Sequence, residues 1–251
     1  MAQKYYVVWK GRETGVFSDW STCKKHIDHF PGARYKSFKT LSEAQAAFKG
    51  SSSISEAGKS PVQKKPGLKT YTAADINKID VDTKIYTDGG CEPNPGQAGS
   101  GVVVYRNNEV SELWYGLYNP NGTNNTAELN ALFQALVMAR DELKQGRSVV
   151  IFCDSKYSIQ CITQWAAGWE KKGWKKAGGE IKNLKLIQEM YTLYQDLKHQ
   201  LQILHVNGHV GVEGNELADR MSILAIEKQD TDFVRYAEEV NISDILSIRA
   251  G

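Results

Sequence analysis

Apolar residues in this chain recur with two different periods, and the switches between them mark out the elements. In KYYVVW (4–9), Tyr5, Val7 and Trp9 alternate with their neighbours, the period of a half-buried strand. Gly15-Val16-Phe17 reads as its short partner, Ser21 to Phe30 as a helix, Ala33 to Phe38 as a third strand and Leu41 to Phe48 as a second helix. Further on, strands are predicted at 84–88, 100–105 (SGVVVY) and 111–118 (SELWYGLY), three in antiparallel succession. A helix follows from about Asn125 to Lys144, then a strand over 148–153 (SVVIFC) and a helix from Ser155 to Trp165. Beyond a basic loop come a helix from about Glu180 to Lys198, a strand at 201–206 and a helix near 214–228. Strands first, then helices alternating with strands, predict an α/β fold with a mixed five-stranded sheet flanked by helices. The front part predicts a small α+β unit.

Between the two parts, GSSSISEAGKSPVQKKPGLKT (50–70) has no periodicity and many Ser, Lys, Gly and Pro residues, the composition of a flexible linker. The boundaries expected are therefore a front domain at 1–49, a linker at 50–80 and a second domain at 81–228. Residues 229–251 form a C-terminal extension with no functional reading. Charge sharpens this division. Residues 1–50 carry a net +5, residues 51–80 +2 and residues 81–251 −5, so a basic front module precedes an acidic body. Such asymmetry points to a polyanionic partner.

Cys23, Cys91, Cys153 and Cys161 show no C-x-x-C or His/Cys ligand spacing, so structural zinc is not expected and a reducing compartment fits. The start, MAQKYYVVWKGRE, lacks the apolar run of a signal peptide, and no stretch has the length of a membrane span. A cytoplasmic location is expected, with the nucleus or mitochondrion open in a eukaryote.

Four acids are hard to place as ordinary surface charge. Asp88 ends the first strand of the second domain, before Gly89-Gly90, although Asp-Gly and the nearby Asn-Pro-Gly are also ordinary turn chemistry. Asp154 ends the fourth strand, where open α/β sheets bind ligands at their carboxyl edge; capping the next helix would also suit it. Glu128 shares a helix face with Leu132, Ala135 and Leu136, and Asp219 lines up with Ile223 and Ile226. A carboxylate facing a core costs several kcal/mol unless it is paired or binds metal. No nearby run of Arg offers four ion pairs, and hard divalent cations with oxygen ligands, above all Mg²⁺, meet the need.

In order along the chain, YTDGGCEPNPG, TNNTAEL, IFCDSKY and NGHVGVEGNELAD resemble the motifs of type 1 ribonuclease H over roughly residues 82–226. Between the last two, WAAGWEKKGWKKAGGEIKN is similar to that family's basic protrusion, with Lys171, Lys172, Lys175 and Lys176 among Trp165, Trp169 and Trp174. Ahead of them, YYVVWKGRETGVFSDW and FPGARYKSF resemble the small hybrid-binding module often found in front of such domains. There Trp20 and Tyr35 would contact the DNA strand, with Lys36 beside them; core packing is the other reading of both aromatics. Ser37 stands where many members carry a second Lys.

The resemblance implies an endonuclease that hydrolyses the RNA strand of RNA–DNA hybrids, leaving 5′-phosphate and 3′-hydroxyl ends. It implies two Mg²⁺ ions, with Mn²⁺ able to substitute, held by Asp88, Glu128, Asp154 and Asp219, with Asp88 bridging them. His209 would assist proton transfer or product release. Asn94, Asn124, Asn125 and Asn215 would touch the hybrid in its minor groove. Thr123 and the protrusion lysines, Lys171, Lys172 and Lys175 among them, would hold phosphates of the DNA strand, and Cys91 and Trp174 would also bind substrate. Lys156, where many relatives have Gln, would be a further contact. Gly89 and Gly90 would let the RNA backbone approach the metals. A monomer is expected. A non-catalytic hybrid-binding protein, or another nuclease on the same scaffold such as a transposase, integrase or junction resolvase, would share parts of this pattern.

Overall fold

In a computed structural model, the structure describes residues 4–28, 30, 32–50, 68–208 and 211–248. They fall into two compact units, one within residues 1–64 and the other within 65–251.

The first unit contains β1 (Tyr5–Lys10), β2 (Gly15–Phe17), α1 (Trp20–Ile27), β3 (Arg34–Phe38) and α2 (Leu41–Gly50). The strands form an antiparallel sheet in the order β2-β1-β3. Alternation along β1 sends Val8 against Cys23 and Ile27 of α1, while the Trp9 indole on the opposite face donates to the Ala47 carbonyl of α2. Asp19 caps α1 by accepting from the Thr22 amide.

The second unit opens with β4 (Thr70–Tyr71) and α3 (Ala73–Ile76), followed by β5 (Thr83–Glu92), β6 (Gly96–Arg106) and β7 (Glu109–Gly122). Then come α4 (Asn124–Lys144), β8 (Val149–Cys153), α5 (Lys156–Gln160) and a π-helical turn at Cys161–Trp165. The chain ends with α6 (Ala166–Glu170), α7 (Leu184–Leu197), β9 (Leu201–Val206), α8 (Glu213–Lys228), β10 (Phe233–Arg235) and α9 (Ile242–Ser247). The sheet order is β10-β7-β6-β5-β8-β9-β4. The five expected strands form its centre, and β4 and β10 widen it at the two edges. β5, β6 and β7 pair antiparallel, whereas β5, β8, β9 and β4 run parallel.

Apolar side chains cover both faces of this sheet. Ile85, Val102 and Ile151 pack with Leu129, Leu132 and Leu136 of α4 on one face. Tyr86, Val103 and Phe152 pack with Leu217 and Met221 of α8 on the other.

Three expectations need correction. The linker does not extend to residue 80: Thr70 and Tyr71 pair with β9, and a capping box between Thr72 and Asp75 starts α3. Residues 51–67 of that linker lie outside the described residues. The C-terminal extension has a structural role, since β10 pairs with β7, Phe233 stacks on Trp114 and Ile245 joins the core. Finally, the chain does not turn away at Gly89-Gly90, because β5 pairs with β6 as far as Glu92.

Candidate active site

The site follows from a difference in strand length. β5 and β8 lie side by side in parallel, with Thr87 opposite Cys153. There β8 stops, so Asp88 and Asp154 emerge next to each other while β5 continues along β6 alone. Helices then bring the other two acids. A Cβ on Gly89 would lie 2.2 Å from the Glu128 amide nitrogen, and one on Gly90 would lie 2.9 Å from Ser222 Oγ. These two glycines let α4 and α8 press onto opposite faces of β5. Their bare backbone serves helix packing, which corrects the expectation that it makes room for RNA.

Asp88, Glu128 and Asp219 are buried. Burial pushes the Asp88 pKa well up, with Asp154 and Asp219 adding to it; the Gly89 amide and the Arg220 guanidinium oppose the rise. Glu128 is likewise raised, by burial first and then by Asp88 and Asp154, and its Oε2 is buried without a hydrogen-bond partner. A buried acceptor beside like charges has the character of a cation ligand waiting for its ion. Ligand atoms of Glu128, Cys153 and Asp154 all lie within 4.8 Å of one another. Burial, Glu128 and Asp154 raise the Cys153 thiol well above its ordinary value, so it stays protonated. Oxygen donors suited to a hard divalent cation therefore remain. Arg220, which sequence reasoning missed, pairs with Asp219.

Asn215 was expected to contact substrate directly. It is only 1% exposed, and its amide donates to Asp154 Oδ2 at 3.4 Å. We correct it to a residue that orients Asp154. His205 holds the same residue from another side, 3.1 Å from the Asp154 main-chain oxygen. Burial and the charge of Lys156 lower the His205 pKa, favouring the neutral ring.

The other expected contacts are spread around this centre. Asn94 is exposed, and its Oδ1 accepts from the Asn124 amide. The Thr123 hydroxyl caps α4 by accepting from Thr126; Asn124 is half-buried and Asn125 exposed in the first turn. The Cys91 thiol donates to the carbonyls of Pro93 and Gly122. Lys156, Lys171, Lys172 and Lys175 are exposed. Trp174 is half-buried against Tyr191, with ring centroids 6.0 Å apart, so packing occupies part of its ring. His209 lies outside the described residues.

In the first unit, Trp20 and Tyr35 are 44% and 48% exposed, with rings 5.8 Å apart. Tyr6 packs on Trp20 with ring centroids 5.3 Å apart, so packing covers part of this pair while the rest faces solvent. Lys36 does not share their face. Strand alternation turns it the other way, and its ammonium lies 5.6 Å from the Phe38 ring.

Fold and acid cluster together define a class: a hydrolase of ribonuclease H fold whose carboxylate centre suits divalent cations. Residues 80–227 match the RNase H family and residues 4–48 the Ribonuclease H1 N-terminal domain. The chain is 33% identical over 254 residues to Ribonuclease H1 of Mus musculus, with 87% of each chain covered. Ribonuclease H1 of Homo sapiens is 31% identical, again with 87% of each chain covered. Ribonuclease H of an Acidovorax strain is 40% identical over 57% of this chain and 94% of its own. Among solved structures, LC9-RNase H1 superposes with a TM-score of 0.51 at 24% identity, covering 66% of this chain and 80% of its own. The chain belongs to the ribonuclease H family and is a ribonuclease H enzyme.

Proposed function

We propose that this chain cleaves the RNA strand of RNA–DNA hybrids with two Mg²⁺ ions, leaving 5′-phosphate and 3′-hydroxyl ends. The observation that carries the reading is the buried acid cluster, in which Glu128 Oε2 has no partner and burial raises both Asp88 and Glu128. Bound there, two divalent cations supply an activated water and charge stabilisation for the leaving oxygen. Asp88, Glu128, Asp154 and Asp219 would hold them, with Asp88 central because it feels the two acids that flank it from β8 and α8. Asn215 and His205 keep Asp154 in place. The exposed lysines 171, 172 and 175 would meet backbone phosphates, which position a duplex without reading its sequence. Exposed Asn94 and Asn125 are short amides suited to 2′-hydroxyls, the groups that distinguish RNA from DNA.

In the front unit, Trp20 and Tyr35 would stack on the hybrid, and the net positive charge of that region favours a polyanion. Incubation with labelled RNA–DNA, RNA–RNA and DNA–DNA duplexes, with and without Mg²⁺, tests the proposal. Cleavage of RNA in the hybrid alone, dependent on the metal, is expected. Cleavage of DNA duplex, or metal-free activity, would overturn it.

A further inference from the structure

We propose that His205 is a positioning residue for Asp154 and that Thr70 sets the tautomer in which it works; this rests on the metal-site reading above. Pairing of β8 with both of its neighbours ends at Cys153, opposite His205. Asp154 is therefore the first residue outside the ladder. His205 reaches its main chain there: Nε2 lies 3.1 Å from the Asp154 carbonyl oxygen. A carbonyl can only accept, so Nε2 must carry the ring proton. In the neutral ring Nδ1 is then an acceptor, to which the Thr70 hydroxyl, 2.8 Å away, donates. One neutral tautomer satisfies both bonds, and the Thr70 hydroxyl is what favours it.

The rest of Asp154 is held as well. Asn215 donates to Oδ2 at 3.4 Å, and a Cβ on Gly208 would lie 2.7 Å from the same oxygen. Main chain and carboxylate are thus fixed from β9 and α8 respectively. β4 brings only two residues to the sheet, yet Thr70 sits directly opposite His205 in register. The stretch ahead of the central strands thereby reaches the acid cluster through Thr70 and then His205. Groups that orient a metal ligand typically tune metal affinity by about 10–100-fold.

The test uses the full chain with Thr70→Val, which removes the donor at nearly constant shape, Thr70→Ser, which keeps it, and His205→Phe. Mn²⁺ binding without nucleic acid is measured by calorimetry, alongside melting temperature and single-turnover cleavage across a Mg²⁺ titration. We expect Mn²⁺ affinity to fall about 10-fold or more for His205→Phe and less for Thr70→Val. Thr70→Ser should restore it, and hybrid affinity in EDTA, with no metal in the site, should stay unchanged in all three. Wild-type Mn²⁺ affinity in folded Thr70→Val and His205→Phe, even with a lowered melting temperature, would overturn the positioning role. If His205→Phe does not fold, the Thr70 pair decides. Asp88→Asn separates the two levels: if it abolishes Mn²⁺ binding while the Thr70 and His205 variants bind normally, only the positioning role fails. If Asp88→Asn itself binds Mn²⁺ and cleaves normally, the metal site fails with it.

Discussion

Helix α4 carries two buried glutamates, and their surroundings are opposite. Near its carboxyl end, Glu142 meets Arg106 and Arg147 and accepts from the Thr83 hydroxyl at 2.8 Å. Burial alone would raise its pKa, but hydrogen bonds from Arg147, Arg106 and Thr83 outweigh it and hold the group at about 2. Near the amino end, Glu128 has a buried oxygen without a partner, and both burial and neighbouring acids push its pKa up. The cost of removing a carboxylate from water is the same in kind at both positions. At Glu142 the fold answers that cost with its own cations. At Glu128 it adds Asp88 and Asp154 instead, leaving the charge to be balanced from outside. This contrast within one helix separates an acid neutralised by the fold from the one assigned above to the proposed metal site.

The largest effect should come from Glu128→Gln. Losing a ligand to a catalytic divalent cation removes several kcal/mol of transition-state stabilisation. At about 1.4 kcal/mol per tenfold, turnover should drop on the order of 10³-fold or more. Stability should move in the opposite direction. A carboxyl whose folded pKa is raised contributes stability that is present below its ordinary pKa and lost as pH rises through the raised value. In EDTA at neutral pH, Glu128→Gln should therefore melt above the unsubstituted protein. A lower melting temperature would break the comparison.

Glu142→Ala should show the reverse pattern. It removes the ion-pair partner of Arg147 and one of the two carboxylates on Arg106, which keeps Glu112 at 2.7 Å, and it leaves the Thr83 hydroxyl without its acceptor; losing hydrogen bonds to a charged group costs about 1.5–3 kcal/mol. Denaturant unfolding should show that loss, while single-turnover cleavage by the folded fraction stays unchanged. The pH dependence has the opposite sign too. Because the Glu142 pKa falls from 4.5 to about 2, its contribution is present above 4.5 and disappears as pH falls towards 2. Melting curves against pH should thus lose part of their acid limb in Glu142→Gln and part of their neutral-side decline in Glu128→Gln. Identical profiles for both variants would mean that the two ends of α4 do not differ as described.

Much of this was legible beforehand, for identifiable reasons. Glu128 and Asp219 stood out because helical periodicity placed each above apolar residues, and Asp88 and Asp154 because each closed a predicted strand. What escaped depends on contacts between distant residues. Thr70-Tyr71 is too short to show a period, and its meaning comes from pairing with β9; the Thr72/Asp75 capping box was the available signal. Arg220 was overlooked because adjacent helix residues do not ordinarily face each other. Asn215 looked like a surface amide because Asp154, the group that buries and engages it, lies 61 residues away in sequence. The glycines of β5 were recognised as positions of close approach, but what approaches them is a helix.

The front unit extends the contrast to a site of different physical character, built from exposed aromatics, and smaller effects are expected there. Stacking on an aromatic is worth about 1–3 kcal/mol, so Trp20→Ala should weaken hybrid binding by that amount. Single-turnover cleavage of a short, saturating hybrid should not change, whereas loss of that rate would place Trp20 in the catalytic machinery. The smallest change is a gain. Ser37 is exposed and, two residues from Tyr35 on β3, shares its face, which Lys36 does not. Ser37→Lys should place a cation beside the aromatic pair and add one phosphate contact. The slope of log affinity against log salt should then steepen by about 0.9 for duplex-like nucleic acid, or about 0.7 if a single strand is gripped. An unchanged slope would show that the Tyr35 face does not meet the nucleic-acid backbone. If Lys36→Ser flattened the slope in the same experiment, the phosphate contact would be assigned to the Phe38 face instead.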